Sequence, residues 1–103
     1  MFVLDLTFDD PRRLAARPAH RARLAELHTA GHLVMAGPWQ DDSGALLVFS
    51  ASRTEMDAIL AADPYYSTPG VTVVALRRWS PILGPAPAGT VSRTAAPSGK
   101  PGA

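Results

Sequence analysis

Apolar and polar residues alternate along Phe2 to Phe8, FVLDLTF: Phe2, Leu4, Leu6 and Phe8 share one face, and Val3, Asp5 and Thr7 the other. A period of two is that of a strand, and Asp9, Asp10 and Pro11 end it. A polar connection rich in arginine leads to Pro18. Proline suits the first turn of a helix, because the amide it lacks would have no partner there. The helix runs to about Ala30, and Gly31 supplies a stop. Leu33 to Pro38, LVMAGP, and Ala45 to Ser50, ALLVFS, read as two further strands, joined by the polar, glycine-ended WQDDSG of a hairpin. In SASRTEMDAILAAD, Ser52 or Thr54 can cap a second helix whose apolar stripe is Met56, Ile59 and Leu60. Pro64 disfavours helical geometry at Asp63, so this helix stops near Ala62. Val71 to Trp79 is the last strand.

The order βαββαβ predicts an α+β, ferredoxin-like domain: a four-stranded antiparallel sheet with both helices on one face. Other arrangements of this order need a left-handed crossover or a longer hairpin loop. The helices cover one side of the sheet, yet the two hairpin strands are apolar on both: Leu33 and Met35 against Val34 and Ala36, Leu47 and Phe49 against Leu46 and Val48. Such a sheet needs a second cover, which predicts a homodimer packed through the open sheet face.

Composition changes the picture at the C-terminus. Gly84 to Ala103 holds 4 of the 10 prolines and 4 of the 8 glycines, so the domain is expected over 1–82 and a disordered tail over 83–103. A tail that docks on a partner is the other reading. The net charge of +1 comes from Arg93 and Lys100 in that tail; the body carries 8 basic against 9 acidic residues. Nucleic acid is therefore not expected as a partner, since phosphate binding needs clustered positive charge, and Arg77 and Arg78 alternate sides of a strand. No cysteine is present, which excludes disulfides, zinc-thiolate sites and thiol nucleophiles. No apolar run is long enough to span a bilayer, and no leader-like segment opens the chain. A cytoplasmic protein with no cofactor and no membrane contact is expected.

One polar residue breaks the helix pattern. At 3.6 residues per turn, His20 shares a face with Leu24 and Leu27, which must point at the sheet. If the first strand runs up, the first helix descends and the second helix rises, so the start of one and the end of the other lie at the same rim. That rim collects His20, Asp63, Phe8, the Gly37, Pro38 and Trp39 end of the hairpin, and Tyr65 and Tyr66. The helix N-terminus with Arg17 and Arg21 opposes an imidazolium at His20, whereas a nearby Asp63 carboxylate favours it. A histidine balanced in this way can act as general acid or base, with the carboxylate orienting its ring. The plainer alternatives are that Asp63 starts an Asp-Pro turn through its own backbone bonds and that His20 is a half-buried packing residue. His28 and His32 flank Gly31, so they make no helical metal pair and are expected in solvent. Asp5, in an otherwise apolar strand, lines either an interface cleft or a water-filled gap.

Taken together, RPAHRARLAELHTAGHLVMAGP, Arg17 to Pro38, and AADPYYSTPGV, Ala61 to Val71, resemble the YciI-like (YCII) family from Phe2 to about Pro81. The resemblance implies a ferredoxin-like fold assembled as a dimeric α/β barrel, with a His and an Asp as active-site pair, which by motif fall on His20 and Asp63. It further implies that some relatives act on small aromatic ring-cleavage or chlorinated hydroquinone intermediates. A short hairpin loop and the Pro/Gly tail depart from the family pattern without touching either motif. The expectation is an acid/base enzyme without metal or organic cofactor, performing isomerisation, elimination or dehydrochlorination on a small aromatic or carboxylate metabolite. Phe8, Gly37, Pro38, Trp39 and Tyr65 are expected to bind that ligand. The alternative is a non-catalytic binding or accessory protein using the same cleft.

Overall fold

A computed structural model describes residues 1–84. It contains β1 (Phe2–Phe8), α1 (Arg17–Thr29), β2 (Leu33–Pro38), β3 (Gly44–Phe49), α2 (Arg53–Ala62) and β4 (Val71–Arg78), with 3₁₀ turns at Pro11–Ala15 and Pro64–Ser67. The strands form an antiparallel sheet in the order β2-β3-β1-β4. This is a ferredoxin-like α+β fold. The tail expected over 83–103 lies, beyond Leu83 and Gly84, outside the described residues.

Alternation decides what the core contains. Phe2, Leu4 and Leu6 stand opposite Phe49, Leu47 and Ala45, and all six are buried. Met56 of α2 and Tyr65 join this cluster, and Leu24 and Leu27 of α1 pack against it. Both helices thus cover the same face, where burial of each large apolar side chain contributes roughly 1.5–3 kcal/mol.

Two bulges modify the simple alternation. In β2, Leu33 pairs with Phe49 but Met35 pairs with Val48. Val34 is therefore an extra residue, and Leu33 and Met35 point to opposite faces rather than sharing one as a strict period of two implies. Leu33 is buried under the helices; Met35 is 56% exposed on the open face. A second register shift lies between Asp5 and Leu6 on the β4 side. Asp5 itself is half-buried on the open face, between Leu46 and Ala75.

The helix ends are set by local chemistry. Gly31 adopts φ 88°, and the amides of Gly31 and His32 return to the carbonyls of His28 and Leu27 at 3.1 and 2.9 Å, a Schellman closure. At α2 it is Ser52, not Thr54, that caps, in a reciprocal box with Glu55. The segment expected to be a plain polar connection is instead a 3₁₀ turn: Asp10 accepts the Arg12 amide and Pro11 takes the first position. Aspartate before proline is itself a helix-start signal. It was masked here by the second role of the same residues, ending β1.

Candidate active site

The first turn of α1 carries His20 into the interior, and its own amide bonds back to Ala16 O at 3.2 Å. The residue is 6% exposed. Its Nδ1–H donates to Asp63 Oδ2 at 2.7 Å. An ionised carboxylate only accepts, so this bond puts the proton on Nδ1 and leaves Nε2 as the free nitrogen. Nε2 has no hydrogen-bond partner among the described residues.

Asp63 makes both of the contacts that the sequence left as alternatives. While Oδ2 takes the imidazole, Oδ1 accepts the Tyr65 amide at 3.0 Å, which starts the 3₁₀ turn after Pro64. The turn locks the carboxylate that orients the ring. His20 is also a packing residue: its ring stacks on Tyr65 with centroids 4.0 Å apart and planes 10° from parallel. Tyr66 meets it edge-on at 5.3 Å. The Tyr66 hydroxyl is buried without a partner among the described residues. Burial first, then the negative charge of the Asp63 carboxylate, push its pKa above the ordinary phenol value, so it stays protonated. One ring face, one edge and one nitrogen of His20 are thus fixed before any ligand arrives.

Beside this cluster a cleft of about 660 Å³ runs between α1 and β2. Helix α1 contributes Arg17, His20, Arg21, Leu24, Ala25 and His28, and β2 contributes its whole length from Leu33 to Pro38, with Phe8, Asp42, Leu47 and Tyr65 completing the wall. Of the expected ligand-binding residues, Phe8, Gly37, Pro38 and Tyr65 line the cleft, and Phe8 meets Tyr65 edge-on at 6.2 Å. Trp39 does not. Pro38 stands opposite Ala45 on the helix side, so alternation turns the next residue to the other face. Trp39 there bonds its amide to Gly44 O at 2.9 Å and leaves 47% of its surface exposed.

His28 is exposed, as expected of it, and also borders the cleft. His32 is only partly so, 3.9 Å from Glu55 Oε2. Two residues of the region were not singled out in the sequence. Arg13 of the first 3₁₀ turn is 7% exposed and lies with its guanidinium carbon 4.1 Å from the Phe8 ring centroid, and its Nη2 donates to Asp42 Oδ2 at 3.0 Å. Burial opposes the charge on Arg13, but the interactions with Asp42 and Tyr65 outweigh it and hold its pKa above the ordinary value. Among the described residues no group of three or more His, Cys, Asp or Glu side chains is placed to hold a metal ion, and no helix is long and apolar enough to cross a membrane.

Comparison with known proteins extends the geometry. The family model for the YCII-related domain matches residues 1–80. No curated protein matches the sequence. Among solved structures, 5-chloro-2-hydroxyhydroquinone dehydrochlorinase from Burkholderia phenoliruptrix AC1100, in complex with 2,5-dihydroxybenzoquinone, is similar with a TM-score of 0.51 and 22% identity, over 78% of this chain and 94% of that one. At that identity the likeness is one of fold.

Proposed function

This chain belongs to the YCII-related domain family, and from that premise we propose that it is an enzyme using His20 as proton shuttle and Asp63 as its orienting partner. The observation that carries this reading is the 2.7 Å bond between His20 Nδ1 and Asp63 at the wall of a cleft. Nδ1 is committed to the carboxylate, so Nε2 takes a proton from an O–H or C–H of the bound molecule. The electron pair left behind shifts a double bond or expels a leaving group such as chloride. Asp63 stabilises the imidazolium that forms, and the proton passes on to product or water. The named reaction of the similar dehydrochlorinase is of this kind. Phe8 and Tyr65 supply aromatic wall for a small ring compound, and a cytoplasmic location suits such a substrate.

The open sheet face supports a homodimer in the manner of a dimeric α/β barrel. Met35 and Trp79 are about half exposed there, and with Val3, Leu46 and Val48 they border an apolar hollow of about 720 Å³. A single monomer peak in light scattering at micromolar concentration would remove this part of the reading.

The test of the chemistry is His20→Asn, assayed with a panel of chlorinated and hydroxylated hydroquinones for chloride release or spectral change. A catalyst loses on the order of 10²–10⁴-fold in kcat with the ligand still bound. Where the wild type turns nothing over and the variant loses affinity or nothing, the chain is a binding protein instead. A thermal-shift screen with small carboxylates and phenols that finds no His20-dependent stabilisation counts against both.

A further inference from the structure

Arg13 is a buried charge that the proposed chemistry leaves unused. Its Nη2 reaches Asp42, but Nε and Nη1 are buried with no hydrogen-bond partner among the described residues. The Tyr65 hydroxyl is near enough to favour the positive charge without being placed to accept from either nitrogen. Buried guanidinium donors left without acceptors oppose folding. Phe8, beneath the guanidinium, is in turn edge-on to Tyr65, which stacks on His20. The charge therefore stands in one run of contacts with the proton-transfer site.

Its single acceptor is also unusual. Asp42 sits in the β2–β3 hairpin with φ 59°, a left-handed conformation that non-glycine residues adopt at some cost. Its side chain is 46% exposed, borders the cleft, and lies 3.7 Å from Arg17 Nη1 as well as 3.0 Å from Arg13 Nη2. A half-exposed carboxylate of the hairpin thus bridges two guanidinium groups, Arg13 buried beneath it and Arg17 beside it at the cleft wall.

We infer that Arg13 and Arg17 form a subsite for an anionic oxygen of the ligand, an aromatic carboxylate or phenolate, and that Asp42 occupies this subsite until the ligand displaces it. The inference rests on the reading of the cleft as a small-molecule site and adds the charge of the molecule it takes. The forked donors of arginine match a carboxylate in two bonds where Asp42 now uses one. A ligand oxygen standing where Asp42 Oδ2 now stands takes Nη2 of Arg13 and the guanidinium of Arg17, and the hairpin carboxylate is released into water. The contacts through Phe8 and Tyr65 hold the anchored end of the ligand in fixed relation to His20 Nε2.

Benzoate and its uncharged counterpart benzamide test this, titrated into the whole chain by calorimetry and by NMR of the His20 ring. The expected result is that both perturb His20, benzoate binds about tenfold more tightly, Arg13→Met removes the preference of benzoate over benzamide, and Asp42→Asn tightens benzoate several-fold. Asparagine tolerates the left-handed conformation, so the second variant keeps the hairpin. Equal binding of the two compounds with His20 perturbed overturns the anion subsite and leaves the cleft as a small-molecule site. Binding of neither at millimolar concentration overturns both. If Arg13→Met does not fold, Asp42→Asn decides alone: unchanged benzoate affinity overturns the inference.

Discussion

The two helices begin in opposite ways. At α2 everything is local: Ser52 Oγ accepts the Glu55 amide at 3.1 Å, Glu55 Oε1 accepts the Ser52 amide at 2.7 Å, and both bonds are exposed. At α1 the residue before the helix is Ala16, no side chain caps the free amides, and the first turn holds no acid. That turn is held instead by the bond from His20 to Asp63, 43 residues away, and by the stack on Tyr65. A capping box needs nothing from the rest of the chain. A start held by distant partners ties the position of α1 to the end of α2, so the contacts that place the helix are the contacts that build the candidate site.

The largest expected effect breaks the long-range side. Asp63→Ala removes the acceptor of both the buried imidazole and the Tyr65 amide, leaving two buried donors unpaired. The expected loss is about 3 kcal/mol in urea unfolding. A loss below about 1 kcal/mol means that α1 is positioned by its apolar face alone and the contrast between the helices disappears. Asp63→Asn is milder: its carbonyl can keep the Tyr65 amide while its NH₂ faces Nδ1 and drives the ring proton to Nε2, which nitrogen NMR of the ring detects directly.

Gly70 tests the lead-in to α1 from a third place in the chain. Its carbonyl accepts the Asp9 amide at 3.1 Å, its φ is 95°, and a Cβ there would stand 2.4 Å from the Asp10 carbonyl oxygen. Gly70→Ala must strain its own backbone and push away the turn that presents Arg13. About 2 kcal/mol of stability is expected to go, together with the downfield or upfield shift of the Phe8 and Tyr65 ring signals that a displaced 3₁₀ turn produces. An intact ring spectrum with unchanged stability would show that the turn is not braced by β4.

The same contrast explains what could be read from residues alone. Features with local causes were legible: the span of β1, the span of β2, the glycine stop at Gly31, and the ends of α2, because alternation, caps and proline act within a few residues. Chain direction in an antiparallel order also sufficed to bring His20 and Asp63 to one rim. What escaped were features with distant causes. Val34 is a bulge among residues that are apolar on either face, so no polar position marks the slip. Arg13 lies unmarked in a polar connection rich in arginine, and its burial depends on Phe8 and on Asp42, 29 residues on. Nearness in sequence to Gly37 and Pro38 points Trp39 at the cleft, whereas the pleat sends it to the other face. The two accounts of Asp63 competed only because each used the carboxylate as a whole; its two oxygens serve both.

On the local side the effects are smaller. Ser52→Ala removes one accepted amide at an exposed helix start and is expected to cost about 1 kcal/mol, with no change at the His20 ring. A change of ring chemical shift in this variant would mean that the capping box of α2 is felt at Asp63, eleven residues on and just past the end of the same helix, and that the two starts are not independent.

Glu55 gives the smallest effect and the sharpest sign. The Ser52 amide first, then the Ser52 hydroxyl, hold its exposed carboxyl below its ordinary pKa, with a lesser pull from His32. A carboxyl whose pKa is lower folded than unfolded adds stability that is fully present above the unfolded value and lost as pH falls through the folded one. Glu55→Gln keeps the acceptor oxygen and removes the charge, so the variant should be slightly less stable than the parent at about pH 7 and should converge on it by about pH 3, read as urea midpoints. A gap that stays constant over that range means the box is held by neutral hydrogen bonding alone. A gap that widens on acidification reverses the sign and removes the carboxylate from the account of how α2 begins, leaving Ser52 as the whole of its local start.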